Sequence, residues 1–254
     1  MEKIKSTYGE HVSQFGELHI PETSGPWPVI VSIHGGFWKS KYQLDESNDL
    51  AVDLSKRGYA VWNIEYRRVG EIGGGWPGTF LDIIAAVNHL TQLKSLYDLE
   101  LTKGITLIGH SAGGHLALWA SSNDKFTDET IELKVPIEKV ISLAGVTDLE
   151  HMLLIHNSQK PLTSPVLDFI GGTVEAFQER YNKASPANLL PLRTPQVLIH
   201  GMEDRHVPIE LSTDYYNKAK AMGDEIEIVK LSGIEHFGVV DPASSAWKSV
   251  LQYL

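Results

Sequence analysis

The sequence predicts an α/β fold in which a mainly parallel sheet is covered by helices on both faces. Three observations carry that prediction. Short, continuous, β-branched runs such as VIVSI at 29–33 suit strands buried on both faces, as parallel sheets require. Between these runs lie stretches of helical period, so strand and helix alternate along the chain. Several runs also end in glycine-rich or polar turns, and in such sheets ligands bind at the loops leaving the carboxyl ends of the strands.

In chain order, VIVSI runs into His34-Gly35-Gly36. A helical stretch around 50–57 stops at Gly58 and gives way to YAVWNI at 59–64. Phe80, Ile83, Ile84, Val87 and Leu90 recur at helical spacing and form one apolar face. ITLI (105–108), VISL (140–143), VLIH (197–200) and IEIVKL (226–231) read as further strands. Trp247, Val250, Leu251 and Leu254 repeat the helical spacing. From about 147 to 190 the rhythm breaks, with interruptions at Pro161, Pro165, Gly171, Gly172 and Pro186 and an apolar patch at 152–155. A long insertion after a strand is expected to form a small cap or lid. The expectation is one domain over 1–254 carrying that insertion.

Composition narrows the classes. Hydrophobic residues make up 42% and charged ones 21%, as in an ordinary globular protein. A chain of 254 residues can bury one large core without covalent staples. The formal charge of −10 repels phosphate backbones, so neither nucleic acid nor an anionic membrane is an expected partner. With no cysteine, disulfides, thiolate nucleophiles and cysteine-ligated metals are excluded. No apolar run approaches the roughly 18 residues of a membrane span, and no secretion signal is read, so the expected location is the cytoplasm.

The chemistry is read from the turns. Gly109-His110-Ser111-Ala112-Gly113 matches G-x-S-x-G and lies between the strand ITLI and a helical stretch at 112–121. That context is the one a nucleophile elbow needs, because the glycines let strand and helix approach closely around a strained serine. A serine hydroxyl is a weak nucleophile until a base takes its proton. In this arrangement the acid follows the serine and the histidine follows the acid. Asp204 lies in the loop after VLIH, and His236 lies in the loop after IEIVKL. His206 is two positions from Asp204 and poorly placed to bridge acid and serine, while Asp241 follows His236. Ser111, Asp204 and His236 are therefore the catalytic candidates, with Glu203 and Asp148 as alternative acids.

An oxyanion hole is expected from His34-Gly35-Gly36-Phe37-Trp38, through the N–H groups of Gly36, Phe37 and Ala112. His34 is expected to tie that loop in place, and Tyr66-Arg67-Arg68 to be structural. Trp38 and Trp76 are candidate walls of a substrate pocket. The glycine run at 73–75 lacks the lysine of a phosphate-binding loop, and no histidine–carboxylate group has metal-ligand spacing. Neither metal nor cofactor is expected.

HGGFW (34–38), EYRR (65–68), GGWP (74–77), GHSAGG (109–114) and HG-x-x-D-x-x-V-P (200–208) together resemble the α/β-hydrolase superfamily. Within it they resemble a bacterial carboxylesterase and kynurenine-formamidase-like branch. The chain departs from the hormone-sensitive-lipase branch, because Phe37 stands where the third oxyanion glycine would be. The resemblance implies an eight-stranded, mostly parallel sheet, with Ser111, Asp204 and His236 as triad. It further implies a serine carboxylesterase acting on small soluble esters, or alternatively an arylformamidase acting on N-formylkynurenine. A binding protein on the same scaffold is the expectation from outside the enzymes.

Overall fold

The computed structural model describes residues 2–122, 132–160 and 163–254. Eight strands run across its sheet in the order β1 (Glu2–Thr7), β2 (Phe15–Ile20), β4 (Ala60–Ile64), β3 (Trp27–Ile33), β6 (Ile105–His110), β7 (Ile137–Leu143), β8 (Gln196–Gly201) and β9 (Ile226–Leu231). A two-residue β5 (Leu99–Glu100) sits beside β3. Every pairing from β4 to β9 is parallel, whereas β1 and β2 add on antiparallel. All six strands read from the sequence are present. β1, β2 and β5 are additional. The edge strand β1 reads EKIKST and is largely exposed, so it lacks the apolar run that marks a buried strand. Its charges suit an edge, where they discourage pairing with another chain.

Alternation along each strand divides the core in two. Val29, Val31 and Ile33 belong to one core cluster with residues of α2 (Gly78–Asn88), α4 (Ala112–Ala120) and α8 (Ile209–Ala221), while Ile30 belongs to a second with residues of α1 (Asn48–Lys56) and α9 (Trp247–Leu251). The predicted face of α2 is buried throughout; Leu90, its last member, belongs to the one-turn α3 (Leu90–Leu93). Full burial of side chains of this size stabilises the fold by about 1.5–3 kcal/mol each.

The 147–190 segment folds as α5 (Leu149–Gln159), α6 (Pro165–Ile170) and α7 (Val174–Ala184). Asp148 caps α5 by accepting the His151 N–H at 3.0 Å, and Ser164 caps α6 by accepting the Val166 N–H at 3.3 Å. Gly171, at φ 95°, ends α6 in the left-handed conformation that glycine tolerates. Pro161, one of the predicted breaks, lies outside the described residues. Phe169 and Ile170 of α6 are fully buried in the core.

Parallel strands in register place their carboxyl ends along one edge. Ile33 pairs with Gly109, and Gly201 pairs with Leu231. The loops that follow β3, β6, β8 and β9 therefore open on the same side, and these four loops hold every predicted catalytic and oxyanion residue.

Candidate active site

Ser111 turns the chain from β6 into α4 at φ 54° and ψ −116°. Backbone of this kind costs on the order of 1–3 kcal/mol and persists only where its surroundings enforce it. The enforcement is visible in the neighbouring glycines. A Cβ on Gly109 would lie 2.1 Å from the Gly113 carbonyl oxygen, and one on Gly113 would lie 2.0 Å from that of Ile33. The Ser111 N–H is held by the Leu143 carbonyl at 2.8 Å.

The loop after β3 is as constrained. Gly36, Phe37 and Trp38 are successive residues of positive φ, at 101°, 49° and 57°. His34 anchors the loop: its ring nitrogens lie 2.8 Å from the Gly35 carbonyl and 2.8 Å from the Glu65 carboxylate. Tyr66 stacks on His34 and donates its hydroxyl to the His34 carbonyl at 2.9 Å. Arg68 bridges Glu65 and Glu71, and Arg67 pairs with Asp82. Among the described residues, nothing accepts the N–H groups of Gly36, Phe37 or Ala112.

Asp204 is enclosed by donors. One carboxylate oxygen accepts the N–H groups of His206 and Val207 at 2.8 and 2.9 Å, and the other lies 2.6 Å from His236 Nδ1. His200 Nε2 is 3.2 Å from that second oxygen. Burial pushes the Asp204 carboxyl up, but the hydrogen bonds from His200, His236 and the Val207 N–H outweigh it and hold it well below the usual carboxylate range. His236 is lowered to about 4: burial penalises its cation and the neighbouring His110 adds to that, while Asp204 opposes both. At neutral pH the pair is thus a carboxylate and a neutral imidazole whose proton sits on Nδ1, leaving Nε2 as an acceptor.

Ser111 and His236 line one cavity of about 100 Å³, joined there by Gly36 and Phe37. No hydrogen bond joins the Ser111 hydroxyl to His236 among the described residues; contacts of this type often tighten only around substrate. The rest of the wall comes from Tyr42, Glu46, His206 and Phe237. These four were not read from the sequence. His206 and Phe237 adjoin predicted site residues, but Tyr42 and Glu46 carry no motif and become visible only once the 3₁₀ turn at 44–47 folds against the loop after β3.

The two tryptophans require correction. Trp38 is fully buried and stacks on Phe169 of α6 at 4.4 Å, because the positive-φ turn directs its ring beneath the loop and away from the cavity. Trp76 packs edge-on against Phe80 at 5.1 Å and does not line the cavity. The 147–190 insertion likewise contributes no lining residue. It supports the loop from behind, through Phe169 under Trp38 and His156 beside Phe37. Among the described residues no group of three or more histidine, aspartate or glutamate side chains is placed to hold a metal ion. No helix there is long and apolar enough to cross a membrane.

The chain is similar to several known proteins. The model of the family described as BD-FAE matches residues 17–219. A kynurenine formamidase of Danio rerio is 24% identical over 236 residues, covering 92% of this chain and 74% of that protein. An esterase of Mycobacterium tuberculosis is also 24% identical, over 86% of this chain but only 55% of its own length. Among solved structures, a truncated carbohydrate esterase from gut microbiota superposes with a TM-score of 0.83 at 20% identity, covering 98% of this chain and 93% of that one. At that identity the likeness establishes the α/β-hydrolase fold.

Proposed function

The chain belongs to the BD-FAE family, and from that premise we propose that it is a serine carboxylesterase acting on small, soluble carboxylic esters. The observation that carries this reading is the 2.6 Å Asp204–His236 bond beside a cavity that Ser111 shares. Ser111 Oγ attacks the ester carbonyl carbon while His236 Nε2 takes its proton. Asp204 fixes the imidazole tautomer and stabilises the imidazolium that forms. The negative charge passing to the carbonyl oxygen is met by the N–H groups of Gly36, Phe37 and Ala112, each of which would contribute about 3–4 kcal/mol to the transition state. His236 then protonates the departing alcohol. Water, deprotonated by the same histidine, releases the acid from Ser111.

The cavity, about 100 Å³, supports a small substrate, since ligand sites usually span roughly 300–1,000 Å³. A second reading, an arylformamidase acting on N-formylkynurenine, draws on the rings of Phe37, Tyr42 and Phe237 around Ser111 and on the name of the Danio rerio relative. The two readings share a triad and differ in the bond cleaved. Steady-state rates on p-nitrophenyl acetate, p-nitrophenyl butyrate and N-formylkynurenine separate them. Ester turnover with little formamide turnover supports the carboxylesterase; the reverse supports the arylformamidase. Turnover of neither by folded protein would count against both.

A further inference from the structure

The site holds a second histidine–carboxylate pair that the triad does not use. Glu46, in the 3₁₀ turn at 44–47, places one oxygen 2.5 Å from His110 Nδ1 and the other 2.5 Å from the Gly35 N–H. His110 is the residue before the nucleophile and is itself buried. Its other nitrogen, Nε2, lies 3.1 Å from the backbone carbonyl of His236, and the two rings are 4.5 Å apart. Both ring nitrogens of His110 thus face acceptors, so the ring is a strut held between the Glu46 carboxylate and the His236 carbonyl. The local sequence makes room for this arrangement. A Cβ at Gly35 would lie 2.9 Å from a Glu46 carboxylate oxygen and 3.1 Å from His110 Nδ1, so a larger residue there would force the pair to shift. Three loops from different strands therefore meet at one carboxylate: the oxyanion loop directly, the nucleophile elbow through His110, and the His236 loop through the His110 ring.

We propose that Glu46 is a positioning residue of the hydrolase reaction, holding the oxyanion loop and His236 in register through His110. The proposal rests on the reading of Ser111 and His236 given above. Misplacement of reacting groups by about 1 Å can cost on the order of 100-fold in rate, so such a residue acts on kcat more than on substrate binding.

The test compares Glu46→Gln, His110→Phe and the double variant with wild type on p-nitrophenyl acetate. Rates are expressed per reactive serine, counted by stoichiometric labelling with a fluorophosphonate. The expected result is a kcat per labelled serine lower by about 10–100-fold in each single variant, with KM within about threefold. The double variant should be no slower than His110→Phe by more than about twofold, since both substitutions break one link. A carboxylate that merely stabilised the fold would lower the labelled fraction and Tm but leave kcat per labelled serine at the wild-type value, and that result overturns the proposal. Multiplying losses in the double variant overturn it too. Should Glu46→Gln not fold, His110→Phe alone decides: wild-type kcat per labelled serine in that variant removes the strut. Wild type that is not labelled at Ser111 defeats the hydrolase reading first, and the positioning role with it.

Discussion

Two histidine–carboxylate pairs lie side by side at the site, their rings 4.5 Å apart, and they differ in where the second ring nitrogen points. In Asp204–His236 the carboxylate holds Nδ1 at 2.6 Å, and Nε2 is left for the Ser111 side of the site. In Glu46–His110 the carboxylate holds Nδ1 at 2.5 Å, but Nε2 is occupied by the His236 carbonyl. The same two residue types thus yield a ring with one nitrogen left open in one case and a ring held at both nitrogens in the other. Residue identity alone does not assign a histidine its task; the partner of its second nitrogen does.

The largest expected effect breaks the pair that keeps a free nitrogen. His236→Ala should lower kcat on p-nitrophenyl acetate by about 10⁶-fold, as when the base of such a triad is removed, while His110→Phe should lose no more than about 100-fold. Equal losses would erase the distinction between the pairs. Asp204→Asn comes next, with about a 10⁴-fold fall in kcat, because an amide cannot hold the required tautomer; steady-state kinetics on the same ester would measure it. Gly35→Ala sharpens the comparison from the other side. The added Cβ meets Glu46 and His110 directly and reaches His236 only through them, and should lower kcat by about tenfold with little change in KM.

The smallest effect at neutral pH is the most specific. His236 must be neutral to accept a proton, and burial with His110 nearby lowers it from 6.5 to about 4. Lowering moves protonation to more acid conditions, so kcat/KM should hold its plateau through pH 6.5 and fall as the pH drops toward 4. A pH–rate profile bending at or above 6.5 would show that Asp204 outweighs burial and His110 at this ring.

The contrast between the pairs also explains how much of the molecule was legible in the sequence. Asp204 and His236 follow apolar strands, so the strand pattern alone delivers them to the correct edge of the sheet, and Gly109, Ser111 and Gly113 mark the elbow locally. β3, β4, β6, β7 and β8 are readable because burial leaves an apolar run, and the edge strand β9 because its apolar residues recur; β1 is not, because an edge strand can be written in lysine and glutamate. Glu46 lies in a short turn with no periodicity, and its partners Gly35 and His110 lie 11 and 64 residues away. Only the folded register of β3 beside β6 brings them together. Trp38 misled for a related reason. Position in the sequence put it beside the oxyanion glycines, but three successive positive φ angles turn its ring into the core against Phe169.

The most direct measurement of the central claim is the mass of the intact protein, followed by peptide mapping, after a brief reaction with p-nitrophenyl butyrate quenched in acid. One butyryl group per chain is expected, located on Ser111 and absent from Ser111→Ala. Release of p-nitrophenol by folded wild type with the acyl group on another residue, or with none on the protein when release runs ahead in a burst, would contradict it.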